Sequence, residues 1–239
     1  RAGHLRRPIA RCVVTEGRGR SRSEPGEKGR LSSPIGKAGG QRLPIAADSA
    51  LPVRDHVVPH TRFLLLAAAL LPRLAAATTA INICDQLSPT SCVITSGHDV
   101  VTGSILDFGA RDVVVEPRGT LDVGAGTMTL TAKSLTLKPG ARLLANGHGN
   151  GSRGGTISIT TTGNILVQAA GNTKGRIDLV AESAGGRLTL TAGGSVVIAG
   201  IVTTPAGTGV GSGGQIDIQA TGSLSLATGS LLDVHGGGE

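Results

Sequence analysis

The strongest constraint on this chain is a short unit that recurs from about Leu106: an aliphatic residue, a small or polar residue, a second apolar residue, then a turn. The first copies are Leu106-Asp107-Phe108, Val113-Val114-Val115, Leu121-Asp122-Val123, Met128-Thr129-Leu130, Leu135-Thr136-Leu137 and Leu143-Leu144-Ala145. Their starts are separated by 7, 8, 7, 7 and 8 residues, so three consecutive steps always total 22 residues. A repeat this short predicts one small element of structure per unit.

The first and third residues of each unit point the same way in a strand, and the middle residue points the opposite way. Three short strands joined by turns would make one coil, and the next coil would lie ~4.8 Å away through parallel hydrogen bonds. The spacing therefore predicts an all-β chain folded as a parallel β-helix, with about 22 residues per coil. We expect Leu106 beside Met128, Val113 beside Leu135 and Leu121 beside Leu143.

The second half of the chain repeats the same unit less evenly. Its copies begin at Ile157, Ile165, Ile177, Leu188, Val196, Ile216, Leu224 and Leu232. Gly-Gly pairs precede several of them, and the Gly-rich segment 206–214 is expected to be a loop. An antiparallel sandwich is the alternative, but its Asn-Gly turn signals cluster in one loop, residues 146–151. Because no closing segment follows the last unit, we expect 81–239 to be a β-helix truncated at its C-terminus.

Composition agrees with a core of small aliphatic residues, because the chain holds only two aromatic residues, Phe63 and Phe108. The pI of 10.2 arises from the first third of the chain. Residues 1–80 hold 14 of the 23 Lys and Arg and have a net charge of +9, whereas residues 81–239 have a net charge of −2. The early arginines lie among Gly, Ser and Pro without aromatic residues for base stacking. We therefore expect no nucleic-acid partner.

Residues 1–52 show no sustained period and are expected to be disordered, or to be translated from upstream of the true start. Residues 53–80 have the layout of a signal peptide. A basic flank that includes Arg62 precedes the apolar run 63–71, and small residues follow, with cleavage expected after Ala77 or, as a second choice, Ala80. The apolar run is too short to cross a bilayer of ~30 Å. A buried helix or short anchor is the alternative, and we expect no transmembrane helix in the mature chain.

Two cysteines, Cys84 and Cys92, follow the predicted cleavage site. In an oxidising compartment they can form a disulfide at the start of the fold, and two free thiols are the alternative. Neither they nor Cys12 lie in a Cys/His grouping of the kind that binds zinc. The sequence therefore gives a possible disulfide and no metal site.

The segments 103–109, 119–124 and 154–160 resemble the repeat regions of filamentous-haemagglutinin-like and autotransporter-type adhesins. The resemblance covers about residues 93–239. It implies a right-handed β-helix that is secreted or displayed on the outer surface of a Gram-negative bacterium. It also implies a surface or matrix ligand, and outer-membrane secretion machinery as a partner. The Asn-Pro-Asn-Gly-Ile motif of the haemagglutinin group has no clear counterpart here, so the sequence does not specify the secretion route.

Candidate chemistry is sparse. The middle position of the unit is Asp in five copies, Asp107, Asp122, Asp178, Asp217 and Asp233, but Ser or Thr equally often in others. A calcium or catalytic carboxylate site would need these groups clustered, and the 22-residue spacing places Asp107 beside Thr129 and Asp122 beside Leu144. The G-x-G-x-x-G match at 209–214 precedes a strand pattern, which excludes the helix that a dinucleotide site needs. His98, His148 and His235 have no evident Ser or Cys partner for a triad.

These observations predict a structural or adhesive surface module without a cofactor and without catalytic or metal-binding residues. The alternatives are the N-terminal part of a β-helix polysaccharide lyase or hydrolase, with catalytic coils beyond residue 239, and a template for secretion or assembly. An enzyme would place several carboxylates and basic residues in one groove.

Overall fold

The protein is described by a computed structural model over residues 9–15, 77–207 and 211–237. All of these residues belong to one compact unit. Within these ranges the secondary structure is β, apart from one 3₁₀ turn at Ala80–Ile83. No helix in these ranges is long and apolar enough to cross a membrane. Residues 53–76 of the predicted signal peptide, 53–80, lie outside the described residues.

The described ranges contain 21 strands, named here in chain order. They are β1 (Ala10–Thr15), β2 (Gln86–Leu87), β3 (Ser91–Ile94), β4 (Gly97–Asp99), β5 (Ser104–Asp107), β6 (Asp112–Val115), β7 (Thr120–Asp122), β8 (Thr127–Ala132), β9 (Ser134–Leu137), β10 (Arg142–Leu144), β11 (Thr156–Thr161), β12 (Ile165–Val167), β13 (Ala169–Ala170), β14 (Thr173–Lys174), β15 (Arg176–Asp178), β16 (Arg187–Ala192), β17 (Val196–Ile198), β18 (Ile201–Thr203), β19 (Gln215–Ala220), β20 (Leu224–Leu226) and β21 (Leu231–Asp233).

Successive strands join three sheets in turn. The first sheet has the order β5-β8-β11-β16-β19-β1, the second β4-β7-β10-β15-β18-β21, and the third β2-β3-β6-β9-β12-β17-β20. From β3 onward each sheet receives every third strand, once the small β13–β14 hairpin is set aside. Pairing within the three sheets is parallel except for β1 with β19 and β2 with β3. This parallel pairing contradicts the antiparallel alternative.

Aliphatic residues at paired positions build the core. In the second sheet Leu121, Leu143, Ile177 and Val202 are successive register partners, and each is fully buried. In the third sheet Val113 pairs with Leu135, which in turn pairs with the buried Ile165. Two of the three expected pairs, Val113 with Leu135 and Leu121 with Leu143, are therefore confirmed.

The third expected pair is wrong. Leu106 pairs with Leu130, and it is Ser104 that pairs with Met128. Strand β8 has six residues and three inward positions, so that more than one register satisfies the apolar pattern. Ser104, which is only 1% exposed, occupies an inward position that a search for aliphatic residues passes over. The same shift places Asp107 beside Thr131, where the sequence predicted Thr129.

Strand β1 lies inside the segment 1–52, which was expected to be disordered. It pairs antiparallel with the edge of β19 over six residues, from Ala10 with Ala220 to Thr15 with Gln215. Its alternate residues Cys12 and Val14 pack against the end of the core. Residues 10–15 therefore form a strand, contrary to the expectation of disorder. Their side chains alternate between the core and solvent, and they pair with a strand edge about 200 residues away in sequence.

Gly-Gly pairs mark one corner of the fold, where the chain enters β11, β16 and β19. They are Gly154-Gly155, Gly185-Gly186 and Gly213-Gly214. A Cβ on Gly185 would overlap the carbonyl oxygen of Thr204. These glycines are therefore needed for close approach of backbone segments, in addition to their role in turns.

Candidate functional site

The first cluster of functional groups lies beside the predicted disulfide. The structure joins Cys84 to Cys92, with a Cα–Cα distance of 5.3 Å. Cys92 lies on β3 and is fully buried, whereas Cys84 follows the 3₁₀ turn. The bond links the start of the described segment 77–207 to the first strand of the parallel core. This is the disulfide that the sequence suggested as one possibility.

Asp85, immediately after this disulfide, holds the turn between β3 and β4. Its Oδ2 atom accepts hydrogen bonds from the backbone N–H groups of Thr95 at 2.6 Å and Ser96 at 2.9 Å. Its Oδ1 atom accepts a bond of 2.8 Å from the Ser96 hydroxyl. These donors, the Thr95 N–H first among them, hold the pKa of Asp85 well below its usual range. The carboxylate is therefore an ionised structural cap.

His98 completes a Ser-His-Asp group that sequence reasoning missed. Its Nε2 atom lies 3.1 Å from Ser96 Oγ and 3.4 Å from Asp85 Oδ1. The expectation that His98 lacks a Ser partner is thus wrong, because residues two apart on an extended segment face the same side. A triad places the imidazole between hydroxyl and carboxylate, with one ring nitrogen for each. Here the hydroxyl bonds the carboxylate directly and one nitrogen faces both, so the group lacks the geometry of a nucleophilic site.

The five aspartates of the repeat are each held by a separate partner. Asp107 Oδ1 accepts from the Thr131 hydroxyl at 2.7 Å and the Gly109 N–H at 2.9 Å, which lowers the pKa of Asp107. Asp122 accepts from the Gly124 N–H at 2.8 Å. Asp178 binds the Arg176 guanidinium at 3.0 Å. These contacts fasten turns and neighbouring strands to one another.

The last two aspartates are paired with basic side chains. Asp217 Oδ2 lies 3.2 Å from Arg11 Nη2, and Asp233 Oδ1 lies 2.7 Å from His235 Nδ1. Asp99 and Asp122 are register neighbours on β4 and β7, a carboxylate pair that the unit spacing did not reveal. Within the described ranges no three His, Cys, Asp or Glu residues gather in a way that could hold a metal ion.

The candidate binding site is a cleft at the corner of the Gly-Gly pairs, with a volume of about 490 Å³. It is lined by Gly154 and by the pairs Gly185-Gly186 and Gly213-Gly214. Thr156, Arg187 and Gln215, which are register partners on β11, β16 and β19, also line it, as does Thr15, the partner of Gln215 on β1. Arg153 and Ser212, each bridged to Ala184, complete the lining. We call this feature the glycine cleft.

The glycine cleft is polar and positively charged. Arg153 and Arg187 are exposed, and neither guanidinium has an ion pair or hydrogen bond to another residue of the described ranges. No acidic residue is among the described residues of its lining. Free guanidinium groups beside hydroxyl and amide side chains can bind carboxylate or hydroxyl groups. Sequence reasoning missed this site, although the recurrence of Gly-Gly followed by Thr156, Arg187 or Gln215 was a visible signal.

Comparison of the chain with protein-family models, with curated proteins and with solved structures finds no match.

Proposed function

We propose that residues 81–239 form a right-handed parallel β-helix that serves as a structural or adhesive module, secreted or displayed on the outer surface of a Gram-negative bacterium. The observation that carries this proposal is the register of the second sheet. Leu121, Leu143, Ile177 and Val202 follow one another in neighbouring strands, and each step passes through the other two sheets. Such an arrangement makes a stiff scaffold from small aliphatic residues.

The surface chemistry supports a binding or spacing role without catalysis. The aspartates of the repeat are tied to separate hydrogen-bond partners, and the Ser96–His98–Asp85 group lacks triad geometry. An adhesive module needs a ligand contact. The glycine cleft offers the guanidinium groups of Arg153 and Arg187 for one, and neither is paired with another residue in the described part of the chain. A surface or matrix ligand that carries carboxylate and hydroxyl groups is the partner that suits this chemistry.

Export is tested by producing the full chain in a Gram-negative host and sequencing the N-terminus of the secreted product. We expect the mature chain to begin at Thr78 or at Ile81. A mature N-terminus upstream of Arg62 would contradict the signal peptide and, with it, the proposed location. The disulfide between Cys84 and Cys92 should be present in the exported protein, because that compartment is oxidising.

Adhesion is tested on surfaces coated with alginate, an acidic polysaccharide, or with dextran, which is uncharged. Cells that display the chain should bind alginate more strongly, and the double variant Arg153→Ala/Arg187→Ala should lose this binding. Arg142→Ala is the matched control, because Arg142 is an exposed arginine on β10 away from the glycine cleft. Equal losses in the control and the double variant would contradict a role for the cleft.

A further inference from the structure

We propose that the outer edge of β19 is a strand-acceptor site, and that residues 10–15 occupy it as a detachable strand. The partner that fits this site is an extended peptide with small or aliphatic residues at alternate positions and a cation near Asp217. In the described chain β1 meets this specification through Cys12, Val14 and Arg11. The site adjoins the glycine cleft, because Thr15 and Gln215, which pair across β1 and β19, also line that cleft. It is separate from the Asp85 group.

The backbone of β19 defines the first part of the acceptor. The N–H groups of Gln215 and Thr221 donate to Gly186 and Ala192, on the β16 side of the strand. Because backbone N–H groups alternate along a strand, those of Ile216, Ile218 and Ala220 face the opposite edge. Their register partners are Val14, Cys12 and Ala10. Strand β1 therefore lies along three donors that nothing else in the first sheet can satisfy.

The side chains define the second part. Ile216 and Ile218 are fully buried at the end of the first sheet, and Val14 and Cys12 pack against the core there. On the outer side, Val13 is the register partner of Asp217 and is 43% exposed. The acceptor thus makes apolar contacts with alternate residues of the incoming strand, while the residues between them face solvent.

Asp217 supplies charge selectivity. Its side chain is only 10% exposed, and its Oδ2 atom is paired with Arg11 across the β1–β19 boundary. Its Oδ1 atom is buried and has no hydrogen-bond partner among the residues that the structure describes. A strand with a neutral or acidic residue in place of Arg11 would leave a buried carboxylate without any cation, which opposes binding. The edge therefore favours a basic strand.

The acceptor has a consequence that rests on the proposed function. Cleavage after Ala77 during export would separate β1 from the rest of the chain and leave the β19 edge open to another strand of the same chemistry. The strand-acceptor site itself does not require export. It is therefore tested on the full, uncleaved chain, so that failure of the signal peptide and failure of the acceptor can be distinguished.

The experiment displaces β1 from the acceptor by mutation of the full chain. It then tests whether a separate peptide with the β1 sequence binds in its place. The double variant Cys12→Asp/Val14→Asp places two carboxylates over the end of the core. The probe is a labelled synthetic peptide of residues 8–16 with Cys12→Val to prevent oxidation. We expect this peptide to bind the double variant and not the wild-type chain, whose site is occupied. A second peptide with Arg11→Glu should fail to bind, because of Asp217.

Hydrogen exchange supplies an independent readout. In the double variant the amides of Ile216, Ile218 and Ala220 should exchange roughly tenfold faster or more, as expected for local opening. The alternate amides of Gln215, Asp217 and Gln219 should change little, and slow exchange at Leu130 and Ile159 in the core shows that the chain is still folded.

If the double variant does not fold, Arg11→Glu in the full chain replaces it, because Arg11 is 61% exposed. Equal peptide binding by both chains, no binding by either, or unchanged exchange at the three amides would overturn the proposal.

Discussion

Leu121 on β7 and Leu143 on β10 are direct register partners, 22 residues apart in sequence, and both are fully buried. Each therefore contacts the same apolar interior from neighbouring parallel strands. Ile177 continues this line of register partners on β15. Leu143 consequently has buried neighbours on both sides within its own sheet, which makes it the most direct probe of how the core is built.

Leu143→Ala should destabilise the chain by about 2–5 kcal/mol, because it removes buried methyl groups and leaves a cavity between two fixed strands. The free energy of unfolding is measured by chemical denaturation. Leu226→Ala on β20 is the matched control, since Leu226 is 52% exposed and the same truncation should cost much less there. Similar losses at the two positions would contradict the register-paired core.

The Cys84–Cys92 bond should be detectable by thiol labelling. The chain has three cysteines, and Cys12 is the free one. After denaturation without reductant, a thiol reagent should therefore modify Cys12 alone. Replacing both bonded cysteines by serine should lower stability by about 2–3 kcal/mol, the loop-closure entropy of so short a loop. Modification of all three cysteines before reduction would show that the bond is absent.

The sequence predicted the parallel arrangement where strands are short. Strands β7 and β10 have three residues and one inward position each, so the spacing from Leu121 to Leu143 allows only one register. Strand β8 has three inward positions, and there the same counting chose Met128 in place of Leu130 as the partner of Leu106. Spacing determines register only when the pattern has no repeat within the strand.

Two features depend on contacts that no local pattern reports. The β1–β19 pairing joins residues about 200 positions apart, and the alternation of residues 10–15 is too brief to be recognised in an Arg-rich segment. The glycine cleft brings Arg153 and Arg187 into one lining, which depends on the lengths of the Gly-rich connections before β11 and β16. The Gly-Gly pairs were visible in the sequence, but their side-by-side placement was not.

Asp85 should make stability depend on acidity at the low end of the pH range. Its pKa is depressed in the folded chain relative to about 3.9 in the unfolded chain. The ionised carboxylate therefore stabilises the fold fully above about pH 5, and this contribution is lost progressively as the pH falls below that value. Asp85→Asn should reduce stability at neutral pH and flatten the decline between about pH 5 and pH 2.

The measurement for Asp85 is the unfolding free energy at a series of pH values. Ser96→Ala is a graded control, because it removes the hydroxyl donor to Oδ1 while the Thr95 and Ser96 N–H groups remain. Its pH profile should lie between those of the wild-type chain and Asp85→Asn. A profile for Asp85→Asn as steep as that of the wild-type chain would show that other groups cause the acid sensitivity.

Gly185 provides the sharpest test of the corner that forms the glycine cleft. A Cβ at this position would overlap the Thr204 carbonyl oxygen and would meet the Gly214 backbone nitrogen at 2.5 Å. Both obstacles are backbone atoms of neighbouring segments, so the overlap cannot be relieved by rotation of a side chain. Gly185→Ala should therefore lower the free energy of unfolding by about 1–3 kcal/mol or more, the usual penalty for overpacking.

Gly97→Ala is the matched control, because nothing lies within 4 Å of its added Cβ and its φ is not positive. Thermal unfolding of the two variants should show a large loss for Gly185→Ala and a change within about 0.5 kcal/mol for Gly97→Ala. If both glycines tolerate alanine equally, the backbone segments at this corner do not approach as closely as described. The glycine lining of the cleft would then be wrong.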